Sequence, residues 1–174
     1  MKSEKYKTVA IIGRIAYGIM CVESYLMQKY PKKEWSILVS KLWKITNLEL
    51  WDEWMDEVIE IIPEYLFEFS DYESSNFEYL SKEDYEKLCD VFRETGNDVN
   101  NVLKLFYDLA CSHAYSSIEG SGRKSLEMLE ELIQFIIKNE VKLPDDSEIM
   151  KISFHEKNGW GIAFDGISLS KILL

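Results

Sequence analysis

The sequence predicts a mainly α-helical protein of one domain, and three observations carry that prediction. A chain of 174 residues has the length of a single domain. Hydrophobic residues make up 47% of it, with five Trp, ten Tyr and eight Phe, so that a core can be buried despite a net charge of −11. Only three Pro and eight Gly are present, and because both residues disfavour helix interiors, their scarcity favours helices.

Apolar residues at helical spacing, together with capping and terminating residues, predict a bundle of about six helices. Asn47 is the predicted N-cap of the third helix, and Pro63 follows its end. The conformation of residues 64–80, which are acidic and aromatic, stays open. The predicted helices are Thr8 to about Tyr30, Glu34 to about Thr46, Leu48–Ile62, Ser81–Thr95, one that begins at Asn97, and Lys124–Asn139.

The end of the chain has a different pattern, which predicts a small β-hairpin near residues 149–165. Asn158-Gly159 stands between two short apolar-rich runs, and this dipeptide is the strongest short hairpin signal because both residues tolerate positive φ. The complete prediction is therefore a helical domain spanning 1–174 with a C-terminal hairpin.

The N-terminus and the cysteines indicate a cytoplasmic protein without a metal or cofactor. A basic start and an apolar run over residues 9–21 resemble a secretory signal, but Arg14 interrupts the run and no cleavage site follows. The run is also too short to span a membrane. Cys21, Cys89 and Cys111 form neither a disulfide framework nor a zinc pattern, so free thiols in a reducing compartment are the simplest interpretation.

The negative charge is concentrated in one segment. Residues 45–81 contain eleven acids and no Lys or Arg, and the rest of the chain has 20 acids and 20 bases. The whole net charge of the protein therefore belongs to this segment.

Within that segment, the third predicted helix carries its acids on one face at i, i+3 and i+4 spacing. The face opposite is apolar and contains Trp51 and Trp54. Acids four residues apart repel by about 0.2–0.5 kcal/mol per pair, and no base is interleaved to relieve this. The acids of this row are Glu49, Asp52, Glu53, Asp56, Glu57 and Glu60.

We interpret the row as a surface that binds a basic partner, since complementary charge steers association and selects the partner. Glu64 and Tyr72 extend the predicted site, with Tyr72 as an exposed aromatic anchor. A merely solubilising surface is the alternative. Nucleic acid is excluded as a partner because its phosphates would be repelled.

No constellation predicts catalysis. His113 falls on the apolar face of the fifth predicted helix, so a hydrogen-bonded core histidine is expected. The segment Gly120–Ser125 has a weak likeness to a phosphate loop but lacks its spacing, so an interhelical turn is expected there. Two alternatives stay open: an enzyme that uses a carboxylate or Cys111 between helices, and an adaptor that self-associates through the hairpin edge.

The helical layout and size, Leu50-Trp51-Asp52-Glu53-Trp54 with Ile62-Pro63, and the Gly159-Trp160-Gly161 tail together resemble the Imm6-type immunity proteins of bacterial polymorphic toxin systems. The resemblance implies a cytoplasmic antitoxin, monomeric or weakly dimeric, that neutralises the toxic domain of a secreted effector. It implies no catalytic residue. Many such toxins are nucleases with basic clefts, and an acidic helix fits such a cleft.

Overall fold

The computed structural model describes residues 1–47 and 51–174 and is mainly helical in those ranges. Each of the six predicted helices has a counterpart, and one short helix is added after Pro63. Short 3-10 turns, beginning with Lys2–Thr8, connect the α-helices. The α-helices are α1 (Ile11–Lys29), α2 (Ser36–Trp43), α3 (Trp51–Glu60), α4 (Pro63–Leu66), α5 (Lys82–Phe92), α6 (Asn97–Cys111) and α7 (Arg123–Lys138).

Helix α1 is the centre of the fold and packs against α6, α7 and α2. Every residue from Ile11 to Glu23 is buried, as expected for a helix that is apolar on nearly all of its faces. The contact with α6 is close at Gly18, where an added Cβ would lie 2.7 Å from Cδ2 of Leu109. No helix in the described ranges is long and apolar enough to cross a membrane.

A buried cation joins α1 to three other parts of the chain. Arg14 has no exposed surface, and burial lowers the pKa of its guanidinium to about 10. Its Cζ atom also lies 5.1 Å from the ring centroid of Phe154. The guanidinium donates hydrogen bonds to the carbonyl oxygens of Tyr6, Lys7, Val9 and Gly122 and to the hydroxyl of Ser125.

A buried anion, Glu23, lies two and a half turns further along α1. Its Oε1 accepts from the indole N–H of Trp43 at 2.7 Å and from the hydroxyl of Ser170 at 2.5 Å. Its Oε2 accepts from the backbone N–H of Lys171 at 2.8 Å. The last residues of the chain are therefore tied to the central helix by one carboxylate.

Helix α3 docks through its tryptophan-bearing face, as predicted. Trp54 is fully buried, its ring meets that of Phe106 edge-on, and its indole N–H donates to the carbonyl of Lys41 at 3.0 Å. Met55 and Val58 are buried beside it. The opposite face of α3 is turned outward. The predicted first turn, residues 48–50, and with it the predicted capping role of Asn47, lie outside the described residues.

The predicted β-hairpin near 149–165 is wrong. Asn158 and Gly159 do adopt the positive φ that favoured a hairpin turn, but Lys157–Gly159 forms a single 3-10 turn. Apart from one hydrogen bond across the turn, from the N–H of Gly161 to the carbonyl of Glu156, the flanking runs bond to other parts of the chain. Their backbone partners are Ile152 with Ala10, Phe154 with Thr8, Trp160 with Ile12 and Phe164 with Thr46.

Residues 120–122 form an interhelical turn, Arg123–Ser125 begin α7, and His113 is a core histidine, so no phosphate loop is formed there, as expected. His113 is buried, and its Nε2 accepts from the backbone N–H of Ser125 at 3.3 Å. Burial lowers the pKa of this imidazole, and the nearby charges of Arg14 and Lys124 lower it further. The ring is therefore neutral in the folded protein.

We expect His113 to make the protein less stable in mild acid. The unfolded chain binds a proton at the ordinary histidine pKa of 6.5, whereas the folded protein does so only at lower pH. The contribution of His113 to the free energy of unfolding is therefore complete above pH 6.5. It is lost as the pH falls through the lower pKa of the imidazole in the folded protein. In urea titrations at pH 7 and pH 5, His113→Gln should show a smaller loss of unfolding free energy than the native protein. The exposed histidine, changed in His155→Gln, is the control, and equal losses in native protein and His113→Gln would contradict the expectation.

Candidate partner-binding surface

The acidic row of α3 divides into residues that serve the fold and residues that face solvent. Glu57 belongs to the first group. Its Oε1 lies 3.2 Å from Nζ of Lys41 and 2.7 Å from Nζ of Lys44, and only a small part of its side chain is accessible. Both lysines come from the end of α2 and its 3-10 extension. The row is thus partly neutralised by bases that precede the base-free segment.

Glu60 also stabilises the fold, because it binds the backbone of the segment that follows α4. Its carboxylate accepts three backbone hydrogen bonds, from the N–H groups of Glu78, Tyr79 and Leu80 at 2.7, 3.0 and 2.8 Å. These residues have no strand or helix to satisfy their N–H groups. Glu60 therefore fixes the position of residues 78–80 against α3.

Glu64, at the start of α4, is bonded to α6. Its Oε2 lies 2.7 Å from Nζ of Lys104, and its backbone N–H donates to Oδ1 of Asn100 at 2.9 Å. Lys104, with help from Asn100, lowers the pKa of the Glu64 carboxyl. The side chain is exposed, so this pair contributes little to stability.

Asp52, Glu53 and Asp56 remain, and we call these three residues the acidic patch. All three are exposed on α3. No Lys or Arg nitrogen in the described part of the chain lies within 4.0 Å of their carboxylates, in contrast to Glu57 and Glu64. Their negative charge is therefore available to a partner.

Two exposed tyrosines flank the acidic patch. Tyr115 follows α6 and is 84% exposed, and the charge of Asp52 raises the pKa of its phenol. Tyr79, held by Glu60, is 41% exposed. Desolvation and then the charges of Asp56 and Glu53 raise the pKa of Tyr79. The structure thus brings together side chains from three separate parts of the sequence.

One predicted site residue, Tyr72, differs from the expectation. Tyr72 is not an exposed anchor: it is half-buried, its ring lies 5.6 Å from that of Tyr85, and its hydroxyl donates to the carbonyl of Leu80 at 2.9 Å. It therefore supports the loop that carries Tyr79. Glu49 lies outside the described residues.

The titratable groups give no support to the enzyme alternative. In residues 1–47 and 51–174, each carboxyl whose pKa departs from its ordinary value is lowered, as for a partnered carboxylate. A general acid needs a raised pKa. Burial raises the pKa of Cys111 to about 11, opposite to the direction that produces a reactive thiolate.

Comparisons with protein-family models, with curated proteins and with solved structures found no match to this chain. The function is therefore argued from the surface itself.

Proposed function

We propose that the protein is an immunity protein that binds and neutralises a basic toxin domain, of the nuclease type, through the acidic patch of Asp52, Glu53 and Asp56. The observation that carries the proposal is that these three carboxylates stay unpaired while their neighbours on the same helix are paired. Mutual repulsion of the unpaired acids lowers the stability of the free protein, and binding of a cationic partner would offset this cost.

Charge complementarity acts first on the rate of association. An acidic patch raises the local concentration of a cationic partner and orients it, and salt screens this effect over about 8 Å at physiological ionic strength. In a nuclease, the groups that bind substrate phosphates are basic, and carboxylates can take the places of those phosphates. A toxin of this type is the partner that best matches the charge of the patch.

The flanking tyrosines support a protein partner rather than a small cation. Tyrosine combines a large apolar ring with a polar hydroxyl and is enriched among residues that dominate binding energy. Tyr79 and Tyr115 are exposed in the free protein, and Glu60 holds the backbone of Tyr79 in place. They can be buried by a partner without a large loss of conformational entropy.

A secreted protein encoded beside this gene that ends in a basic toxic domain would be the candidate toxin. The test is protection of a bacterial host that expresses that domain. The variant Asp52→Lys/Glu53→Lys/Asp56→Lys is expected to lose protection and to bind the toxin at least about 100-fold more weakly, or ~2.7 kcal/mol. Opposed like charges at an interface are strongly unfavourable. Growth of the host and titration calorimetry with inactivated toxin measure the two effects.

A control variant with the same change in net charge shows whether the position of the charge or its total amount decides binding. Glu86→Lys/Glu131→Lys/Glu140→Lys makes the same change in net charge at exposed positions outside α3. This variant should keep protection, and both should keep the native circular dichroism spectrum. Full protection by the patch variant would overturn the proposed function.

A further inference from the structure

Two surface cavities lie on either side of the exposed face of α2 and meet at Ser40. The first, of about 660 Å³, lies between α2 and α5. The second, of about 480 Å³, lies between α2 and α3 and reaches Glu53 and Tyr79. Since Ser40 lines both, they form one groove along α2, which we call the α2 groove.

The lining of the α2 groove is largely apolar. Ile37, Val91 and Leu173 line the first cavity, and Ile167, which is 42% exposed, lines the second together with the ring of Tyr79. The apolar groups come from α2, α5, the loop fixed by Glu60, and the C-terminal residues. Apolar surface of this kind gains from being covered by aliphatic side chains.

The carboxylates at the α2 groove favour a cationic occupant. Three of the five are paired: Glu57 with Lys44, Asp84 with Lys41, and Asp90 with Arg93. Two are not paired with a cation in the described ranges. They are Glu34, in the first cavity, and Glu53, in the second. Each half of the groove therefore combines apolar lining with one carboxylate that lacks a counterion.

We propose that the α2 groove binds an extended, basic segment of the partner that alternates aliphatic side chains with Lys or Arg. The aliphatic groups cover Ile37, Leu173 and Ile167, and the cations reach Glu34 and Glu53. Lysine and arginine suit this groove because their stems are apolar and their ends are charged. This inference rests on the proposed function, because Glu53 and Tyr79 are shared with the surface that binds the toxin.

Ser40 allows the groove to be blocked without loss of the fold. It is exposed, and its hydroxyl donates only to the carbonyl of Ile37 in the preceding turn, at 3.0 Å. Ser40→Arg places bulk and positive charge where the two cavities meet, Ser40→Trp places bulk alone, and Ser40→Ala adds neither. Gln134→Arg, on the exposed surface of α7 and outside both cavities, controls for the added charge.

The probe is a fluorescein-labelled peptide of eight residues that alternates lysine and leucine, followed by fluorescence anisotropy. We expect Ser40→Arg and Ser40→Trp to weaken its binding at least tenfold, and Ser40→Ala and Gln134→Arg to leave it unchanged. A lysine–serine peptide of equal charge should bind more weakly, and a glutamate–leucine peptide should not bind. Native affinity of both blocking variants for the lysine–leucine peptide would overturn the proposal.

Two further outcomes distinguish the groove from the acidic patch and from self-association. If the patch variant loses protection against the toxin while Ser40→Arg protects fully, the groove proposal falls and the proposed function stands. If peptide binding requires Ser40 but the patch variant still protects, the proposed function falls and the preference of the groove for basic peptides stands. A concentration-dependent dimer in light scattering that Ser40→Arg abolishes would assign the groove to a second copy and overturn the proposal.

Discussion

Arg14→Met should lower the free energy of unfolding by about 3–5 kcal/mol, the largest effect that we expect from a single substitution. Methionine fills much of the space but donates no hydrogen bond. The carbonyl oxygen of Val9 would lose its donor inside the protein, and those of Tyr6 and Gly122 would each lose one of their donors. Buried acceptors that lose hydrogen bonds are costly. Burial of the charge already costs free energy in the native protein, but these acceptors compensate for it.

Chemical denaturation at pH 7 measures this effect. Arg14→Lys should also destabilise the protein, because one ammonium group cannot reach acceptors spread around a planar guanidinium. Arg123→Met is the control, since Arg123 is exposed and pairs only with Glu127 on the same helix. If Arg14→Met were as stable as Arg123→Met, the guanidinium would not be the link between α1 and the start of α7.

Glu60→Ala should lower the free energy of unfolding by about 2–4 kcal/mol. The carboxylate accepts three hydrogen bonds, and such bonds to a charged acceptor are worth about 1.5–3 kcal/mol each when they are shielded from water, but two of these three are exposed, so water would replace part of the loss. The N–H groups of residues 78–80 would then be left to water. Tyr79 would lose its fixed position beside the acidic patch. Amide hydrogen exchange at residues 78–80 should rise together with the loss of stability.

Asp56→Ala provides the contrast on the same helix. Asp56 is exposed and accepts no hydrogen bond from the described residues, so this variant should lose no stability. Relief of the repulsion from Asp52 and Glu60 should instead raise its free energy of unfolding by about 0.2–1 kcal/mol. The same variant should weaken toxin binding. Equal stabilities of Glu60→Ala and Asp56→Ala would mean that Glu60 does not hold the loop.

The helices could be predicted from the sequence because their signals are local. Apolar spacing located α1, α6 and α7, and Ser81 caps α5 by accepting from the backbone N–H of Asp84, as its position suggested. Helix α5 ends at Phe92 and not at the predicted Thr95, and Gly96 is the N-cap of α6, so residues 93–96 separate the two helices.

The division of the acidic row could not be predicted, since it depends on residues distant in sequence. All six acids share one pattern, but among the five that the structure describes, Lys41, Lys44 and the N–H groups of residues 78–80 contact Glu57 and Glu60 alone. Tyr115 is separated from Asp52 by more than sixty positions, and no local signal indicates that they are neighbours. Which carboxylates lack a counterion depends on the folded surface, and the spacing of acids in the sequence does not determine it.

The hairpin prediction was wrong for a related reason. Asn158-Gly159 determines the backbone of its own turn but not what the adjoining runs bond to. The N-terminal residues before α1 offer unpaired N–H and carbonyl groups, and Ile152 and Phe154 bond to those. Competition between local and distant partners is decided by tertiary packing.

The attachment of α1 to the last part of the chain has a consequence for synthesis on the ribosome. Glu23 cannot form its hydrogen bonds until Ser170 and Lys171, 147 and 148 positions further along the chain, have been synthesised. Helix α1 likewise cannot pack against α7 until more than a hundred further residues have been made. During that interval α1, the longest helix in the described part of the chain and one buried along most of its length, lacks its covering. Its apolar surface exposes the incomplete chain to aggregation, so cells should recover little folded protein from chains that stop before Ser170.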